Sequence, residues 1–382
     1  MTSTTFVHTS DLQLGMTRWF LDADAQGRFD DARLRAVDRL GEVAAQHGAE
    51  FIVVAGDVFE HNSLSDRVTG RALERLRSLP VPVYLLPGNH DPLVADSIFR
   101  RTDGVAGVHV LGGAAPVEVA PGVEIVAAPL LAKRATTDLV REALEPLAPT
   151  DGVRILVGHG QAESRSNEAA PDLIDLAYLE SRVADGTVDY AALGDTHSAQ
   201  PVGDTGRVWY SGAPETTDFH EPGLGDLAGE HNSGNALVVT VSKTAAGDAA
   251  VDVAEVTVGE WTFEAIDREL ASGDDVEEFF AALDAFPHKD RTVVKYGLRG
   301  TLSMSATRRL ETGLAERRPV FAALYERERL TDLHLEPGAE ELAALGVSGF
   351  AAAALGELVE AAEADPTARD AVNLFFRLSK ES

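Results

Sequence analysis

Short apolar runs alternate with amphipathic stretches from the first residues of the chain. FVHTS (6–10) reads as a strand, and FIVVAG (51–56) as a buried one. Between them the apolar spacing predicts a helix from Phe29 to Gly48, with Leu34, Val37, Leu40 and Ala44 on one face and Gly48 as its stop. A helix over Asp66–Leu79 and a strand over PVYLLPG (82–88) follow. VHVLGG, VEIVAAP, RILVGHG, DYAALG and RVWYSG give further strands, with helices expected over Thr136–Leu144 and Leu173–Arg182. Strands and helices in this order predict an α/β layered domain whose sheet faces are covered by helices.

The pattern changes after WYSGAPETTDFHEPGLGDLAGEHNSGN, a stretch rich in Gly, Asp, Glu and Asn that reads as a long surface loop. ALVVTVSK and AAVDVAEVTV then form an expected β-hairpin that closes the first domain. From about Trp261 the order is helix (DDVEEFFAALDAF), strand (TVVKYGLRGTL) and helix (Ala306 to Arg318), which Pro319 ends. FAALYERERL adds a strand, and Pro337–Gly338 mark a boundary before an alanine-rich helical tail. The expected division is a first domain over 1–260, a small α/β domain over 261–338 and a helical tail over 339–382. A chain of 382 residues is long enough for such a division.

Composition narrows the class without choosing a function. Hydrophobic content of 45% with 25% charged residues is that of a water-soluble globular protein. No apolar run of membrane-spanning length and no secretory signal is expected, which points to the cytoplasm. The absence of cysteine excludes disulfides and thiolate metal sites. A net charge of −29 argues against a basic protein that coats nucleic acid. It leaves room for a nuclease, because bound cations neutralise a site locally.

Polar residues with metal-binding capacity recur where expected strands end. FVHTS leads to Asp11, FIVVAG to Asp57, VYLLPG to Asn89, His90 and Asp91, RILVG to His159, and YAALG to Asp195 and His197. In α/β sheets ligands bind beyond the carboxyl ends of the strands. A single Asp there is usually a cap or turn former, and a single His usually structural. The set in the contexts GD, GNHD, GHG and GDTH carries far more weight. Hard divalent cations take carboxylate, amide oxygen and imidazole ligands.

SDLQLG, GDVFE, PGNHDP, GHG and LGDTH, in this order, resemble the calcineurin-like metallophosphoesterase superfamily, and most closely its SbcD-type DNA-repair exonucleases. WYSGAPETTDFHE resembles a late segment of the same enzymes, and the likeness covers about residues 5–240. The resemblance implies a sandwich of two sheets flanked by helices, with a small α/β cap and the helical tail. It further implies two divalent cations, Mn²⁺ or Mg²⁺, bridged by Asp57. Asp11, Gln13, Asp57 and His197 would hold the first, and Asp57, Asn89, His159 and Asp195 the second. His90 would act as general acid, oriented by Asp91, in two-metal hydrolysis by water.

The chain departs from the family pattern at two of these positions. The family's DxH reads DLQ here, and its GHxH reads GDTH, so Gln13 and Asp195 each replace an imidazole with an oxygen ligand. The exchange makes the site harder and more anionic, favouring Mn²⁺ or Mg²⁺ over Zn²⁺. A decayed site would show Ala, Leu or Val there and would lose the bridging Asp or the Asn, and neither has happened. By resemblance the partners are DNA, an SMC-like (SbcC-type) ATPase reached through the tail, and a second copy of the chain. Two alternatives stay open: a phosphodiesterase of small nucleotides or phosphodiesters, and a catalytically weak DNA-end scaffold subunit.

Other residues are given plainer roles. His8 is expected to be buried and hydrogen-bonded to backbone, while His47, His61 and His231 read as surface residues. Asp218 and His220 stand where the family has a loop near its site. Arg71, Arg75 and Arg77, and Arg308, Arg309, Arg317, Arg318, Arg327 and Arg329, read as solvated faces interleaved with Glu rather than as phosphate grips. In the tail, Val372, Leu374, Phe375, Phe376 and Leu378 suit a closing core helix or a helix that docks on a partner.

Overall fold

A computed structural model describes residues 2–162, 171–221, 229–244, 247–335, 349–362, 365, 367, 368, 371, 372, 374 and 375. The chain divides into two compact units, Met1–Phe263 and Glu264–Ser382. No helix among the described residues is long and apolar enough to cross a membrane.

The first unit runs β1 (Thr2–Thr9), α1 (Ala23–His47), β2 (Phe51–Val54), α2 (Asp66–Arg77), β3 (Val83–Leu85), β4 (Val108–Val110), β5 (Val117–Ala120) and β6 (Val123–Ala128). It continues with α3 (Leu139–Leu144), β7 (Val153–His159), α4 (Leu176–Ala184), β8 (Tyr190–Gly194), β9 (Gln200–Val202), β10 (Val208–Tyr210), β11 (Asn235–Lys243) and β12 (Ala249–Thr257). The strands form two six-stranded sheets, ordered β12-β11-β1-β2-β3-β4 and β5-β6-β7-β8-β10-β9. Strands β1 to β4 are parallel, as are β6, β7 and β8, so their carboxyl ends lie along common edges.

Alternation along single strands explains the layers, because successive side chains point to opposite faces. Phe6, Phe51 and Val53 meet Ile155, Val157 and Tyr190 between the sheets. Their neighbours Val7, Ile52 and Val54 pack under Val37, Leu40 and Ala44 of α1. Leu156, Ala191 and Leu193 turn the other way, against Val140 of α3 and Leu179 of α4. The result is helices, sheet, sheet, helices: the expected sandwich. Central strands buried on both faces need apolar residues throughout, which is why they read as continuous runs.

Helix starts differ from the apolar periodicity because caps decide them. Asp22 accepts from Ala25 N at 2.8 Å and starts α1 at Ala23, six residues before Phe29. Asp138 and Asp175 cap α3 and α4 in the same way, so both begin three residues later than expected. Strands β5 and β9 are short and partly exposed, and their sequences carry too little apolar signal to announce them. The hairpin of β11 and β12 pairs antiparallel over its whole length.

The second unit builds a sheet from β13 (Thr262–Leu270), β14 (Thr292–Leu302), β15 (Ala323–Glu326) and β16 (Asp332–Leu335). Strands β13 and β16 were not expected, since TFEAIDREL and DLHL mix charge into their alternation. Helices α5 (Gly273–Asp284) and α6 (Met304–Arg317) close its core with Phe279, Phe280, Tyr296 and Leu310. Helix α7 (Phe350–Ala362) forms where the alanine-rich segment stands. The Pro337–Gly338 boundary and residues Phe376 and Leu378 lie outside the described residues.

Candidate metal centre

Beyond their last residues, β1 and β2 stay zipped together. Asp11 N donates to the Gly56 carbonyl at 3.0 Å, Gln13 N to the Asp57 carbonyl at 2.9 Å, and Leu14 N to the Val58 carbonyl at 3.0 Å. Arg33, buried on α1, donates to the Leu12 carbonyl at 2.7 Å and braces the DLQ turn from behind. Burial lowers the Arg33 pKa to about 10, so it remains a cation at neutral pH.

Among the described residues, four non-glycine residues have left-handed backbone: Asp11 (φ 53°), Gln13 (φ 40°), Asp57 (φ 51°) and Asp195 (φ 93°). Each stands just past a strand end, and each was singled out by sequence. Such conformations persist only where the surroundings enforce them, and they gather at functional sites. The glycines beside them leave room for close approach. A Cβ on Gly88 would stand 2.1 Å from Asp57 Oδ1, and one on Gly56 would stand 2.0 Å from His159 Nδ1.

Asp11, Asp57 and His159 offer ligand atoms that all lie within 4.8 Å of one another, all three residues buried. His159 Nε2 is 3.4 Å from Asp57 Oδ2, 3.9 Å from Asp195 Oδ1 and 2.7 Å from Asn89 Oδ1. His197 Nε2 is 3.6 Å from Asp11 Oδ1. Asp195 N donates to Asp11 Oδ2 at 3.2 Å, which ties the end of β8 to the end of β1. Residues from five strand ends thus converge on one place.

The tautomers follow from the partners, because a carbonyl only accepts. His159 Nδ1 donates to the Ala55 carbonyl at 2.8 Å, which leaves Nε2 facing the carboxylates. With that proton placement Nε2 and Asn89 Oδ1 face each other as two acceptors 2.7 Å apart, a contact that a shared cation, a second ring proton or a flipped Asn89 amide relieves. Asp11 Oδ1 and Gln13 Oε1 are buried with no hydrogen-bond partner among the described residues. Orphaned acceptors of this kind are costly unless something positive meets them. The donor set of carboxylates, amide oxygens and imidazoles therefore fits hard divalent cations.

Protonation follows the same electrostatics. Burial raises the Asp11 carboxyl above its ordinary range, against the pull of His197 and His159. For Asp57, burial is outweighed by His159 and His90, and the carboxyl is held below its usual range. For His159, burial is outweighed by Asp57, and its pKa rises well above the ordinary value. His197 is pushed up to about 9 despite burial, through its bond to Glu230 and the charge of Asp11.

His90 N donates to Asp57 Oδ1 at 2.9 Å, and His90 Nδ1 donates to the Glu60 carbonyl at 3.0 Å. Asp91 does not orient His90, contrary to expectation. Its carboxylate turns inward to accept from Phe59 N and Gly88 N, both at 2.8 Å, and so fixes the GNHD turn on the GDVFE turn. Burial and the nearby Asp57 charge push its pKa up to about 7. His8 is fully buried between the Leu193 carbonyl (3.2 Å) and Tyr190 Oη (3.0 Å), a structural residue as expected. His61, Asp218 and His220 are exposed.

Two contributors escaped the sequence reading. Glu230 accepts from His197 Nδ1 at 2.8 Å, and Thr217 Oγ1 lies 2.6 Å from the same nitrogen. Glu230 stands 33 residues beyond His197, in a polar run that reads as loop, so no spacing signal links the two.

The family model for calcineurin-like phosphoesterase matches residues 4–199. The DNA double-strand break repair protein Mre11 of Archaeoglobus fulgidus is 31% identical over 111 residues, covering 28% of this chain and 24% of that protein. The uncharacterized metallophosphoesterase YhaO of Bacillus subtilis is 27% identical over 124 residues, covering 31% and 30%. The SbcD component of the Escherichia coli nuclease SbcCD is 26% identical over 253 residues, covering 57% and 62%. The chain thus spans between about a quarter and three fifths of the length of these curated relatives.

Proposed function

This chain belongs to the calcineurin-like phosphoesterase family, and we propose that it hydrolyses phosphodiester bonds of DNA at the strand-end cluster, with two divalent cations. Membership supports a phosphoester hydrolase that uses divalent metal; the DNA substrate rests on its likeness to Mre11 and to the SbcD component of the SbcCD nuclease. Asp11, Gln13, Asp57 and His197 would hold one cation, and Asp57, Asn89, His159 and Asp195 the other. When bound, such a pair supplies an acidified water and charge neutralisation at the leaving oxygen. The oxygen-rich donor set favours Mn²⁺ or Mg²⁺.

The residues of the chain do the positioning. Asp57, clamped by the His90 amide, holds the centre of the cluster. His90, with Nδ1 fixed on the Glu60 carbonyl, presents Nε2 to the departing oxygen and in its protonated form delivers a proton there. Asp91 keeps the two turns in register. The observation that carries this reading is the left-handed backbone at Gln13 and Asp195. Both exchanged residues sit in left-handed backbone, as Asp11 and Asp57 do, which supports their being held in place as ligands.

Digestion of end-labelled single- and double-stranded DNA with Mn²⁺ tests the proposal. Wild type should cut, while Asp57→Ala and His90→Ala should not, with folding intact. A second reading, turnover of small phosphodiesters, draws on the net charge of −29 and on Arg309 and Arg317 being paired with acids. Cleavage of bis-p-nitrophenyl phosphate with no cutting of DNA would favour it. An SMC-like ATPase as partner, engaged through the tail from residue 339, is part of the same proposal. Loss of pull-down on deleting 340–382 tests it.

A further inference from the structure

The two imidazoles at the centre are held from behind by different groups. His159 Nδ1 meets the neutral Ala55 carbonyl at 2.8 Å. His197 Nδ1 meets a buried carboxylate, Glu230 Oε1, at 2.8 Å. Glu230 is in turn fully engaged: Thr217 Oγ1 donates to Oε1, and Thr217 N donates to Oε2 at 2.9 Å. Among the described residues no lysine or arginine forms an ion pair with it, and the cationic group it touches directly is the His197 imidazole.

We propose that Glu230, locked by Thr217, is a positioning residue that turns His197 Nε2 toward Asp11 and strengthens it as a metal ligand. This rests on the reading of His197 as a ligand. A carboxylate on the far nitrogen keeps the proton on Nδ1, frees the Nε2 lone pair and raises its basicity. The half of the centre assigned to His197 is also the half in which Gln13 offers a neutral amide oxygen. The half assigned to His159 has the carboxylate of Asp195 instead. Glu230 thus returns, one hydrogen bond removed, donor strength to the side where a weaker ligand stands.

Titration calorimetry of the full chain with Mn²⁺ alone tests this, with His197→Ala as the reference. Glu230→Gln keeps the shape and removes the charge, and should weaken one class of Mn²⁺ site by about tenfold; Glu230→Ala should weaken it by up to about a hundredfold. The other class should stay within about twofold of wild type on the same scale. The class affected should be the one that His197→Ala weakens, and adding Glu230→Gln to His197→Ala should change nothing further. Unchanged affinities in a folded Glu230→Gln protein would overturn the proposal, as would an additive loss in the double variant. If Glu230→Ala does not fold, Glu230→Gln still decides it, and Thr217→Val, which keeps the backbone donor to Oε2 but removes the hydroxyl donor to Oε1, should weaken the same class of site by less than Glu230→Gln does. Wild type taking up no Mn²⁺ would overturn the metal centre itself, an outcome separate from a failure confined to Glu230.

Discussion

At the strand ends of the first unit, Asp11, Asp57 and His159 are buried, Asp11 Oδ1 and Gln13 Oε1 lack partners among the described residues, and the backbone is left-handed at four non-glycine positions. On α6 of the second unit the charges are treated in the opposite way. Arg309 pairs with Glu277 at 2.7 Å and Arg317 with Asp284 at 2.6 Å, both close over the Phe280 ring, and no non-glycine residue described there is left-handed. One region keeps polar groups unsatisfied and strained, where they cost stability; the other satisfies them at the surface, where they aid solubility and packing. Unsatisfied, strained groups of the first kind are what the proposed metal centre requires, and paired surface groups of the second kind are what folding alone requires.

The comparison breaks most sharply at His90. His90→Ala should lower Mn²⁺-supported hydrolysis by about 10²–10⁴-fold, as loss of a general acid does, while calorimetric Mn²⁺ uptake stays as in wild type. Loss of uptake would make His90 a ligand rather than an acid. Gly88→Ala forces a Cβ to within 2.1 Å of Asp57 Oδ1, so activity should fall and thermal melting should report a cost of about 1–3 kcal/mol.

His8 sharpens the contrast from the folded side, being buried but fully bonded. Burial lowers its pKa to about 3, so below the ordinary value near 6.5 the unfolded chain binds a proton that the folded one refuses. Its contribution is present above pH 6.5 and is lost as pH falls toward 3, by about 1.4 kcal/mol per unit. Denaturant titrations across that window should show this slope in wild type and a shallower one in His8→Gln.

Gln13→His should retain hydrolysis and raise the activity seen with Zn²⁺ relative to Mn²⁺ several-fold. An unchanged metal profile would contradict the account of the exchanged ligand. At the quiet end, Arg317→Ala should cost less than about 1 kcal/mol by chemical denaturation and leave turnover of a small phosphodiester untouched.

Much of this was legible in the chain because strand and site share one rule. Continuous apolar runs are what a doubly covered strand needs, and the polar residue that ends each run falls where parallel strands place ligands, so Asp11, Asp57, Asn89, His159 and Asp195 could be read in order. Helix starts were less legible, since a cap such as Asp22 acts through one hydrogen bond and leaves no periodic trace. Strand β13 escaped because its charges interrupt the alternation.

What the sequence determined by itself is the succession of buried parallel strands in the first unit and the kind of side chain that follows each, because both depend on neighbours a few residues away. Only the tertiary structure decided that Asp91 faces inward, that Gln13 and Asp195 are held left-handed, and that Glu230 and Thr217 stand behind His197. Those facts depend on contacts between residues tens to hundreds of positions apart, and such contacts exist only once the two sheets have packed.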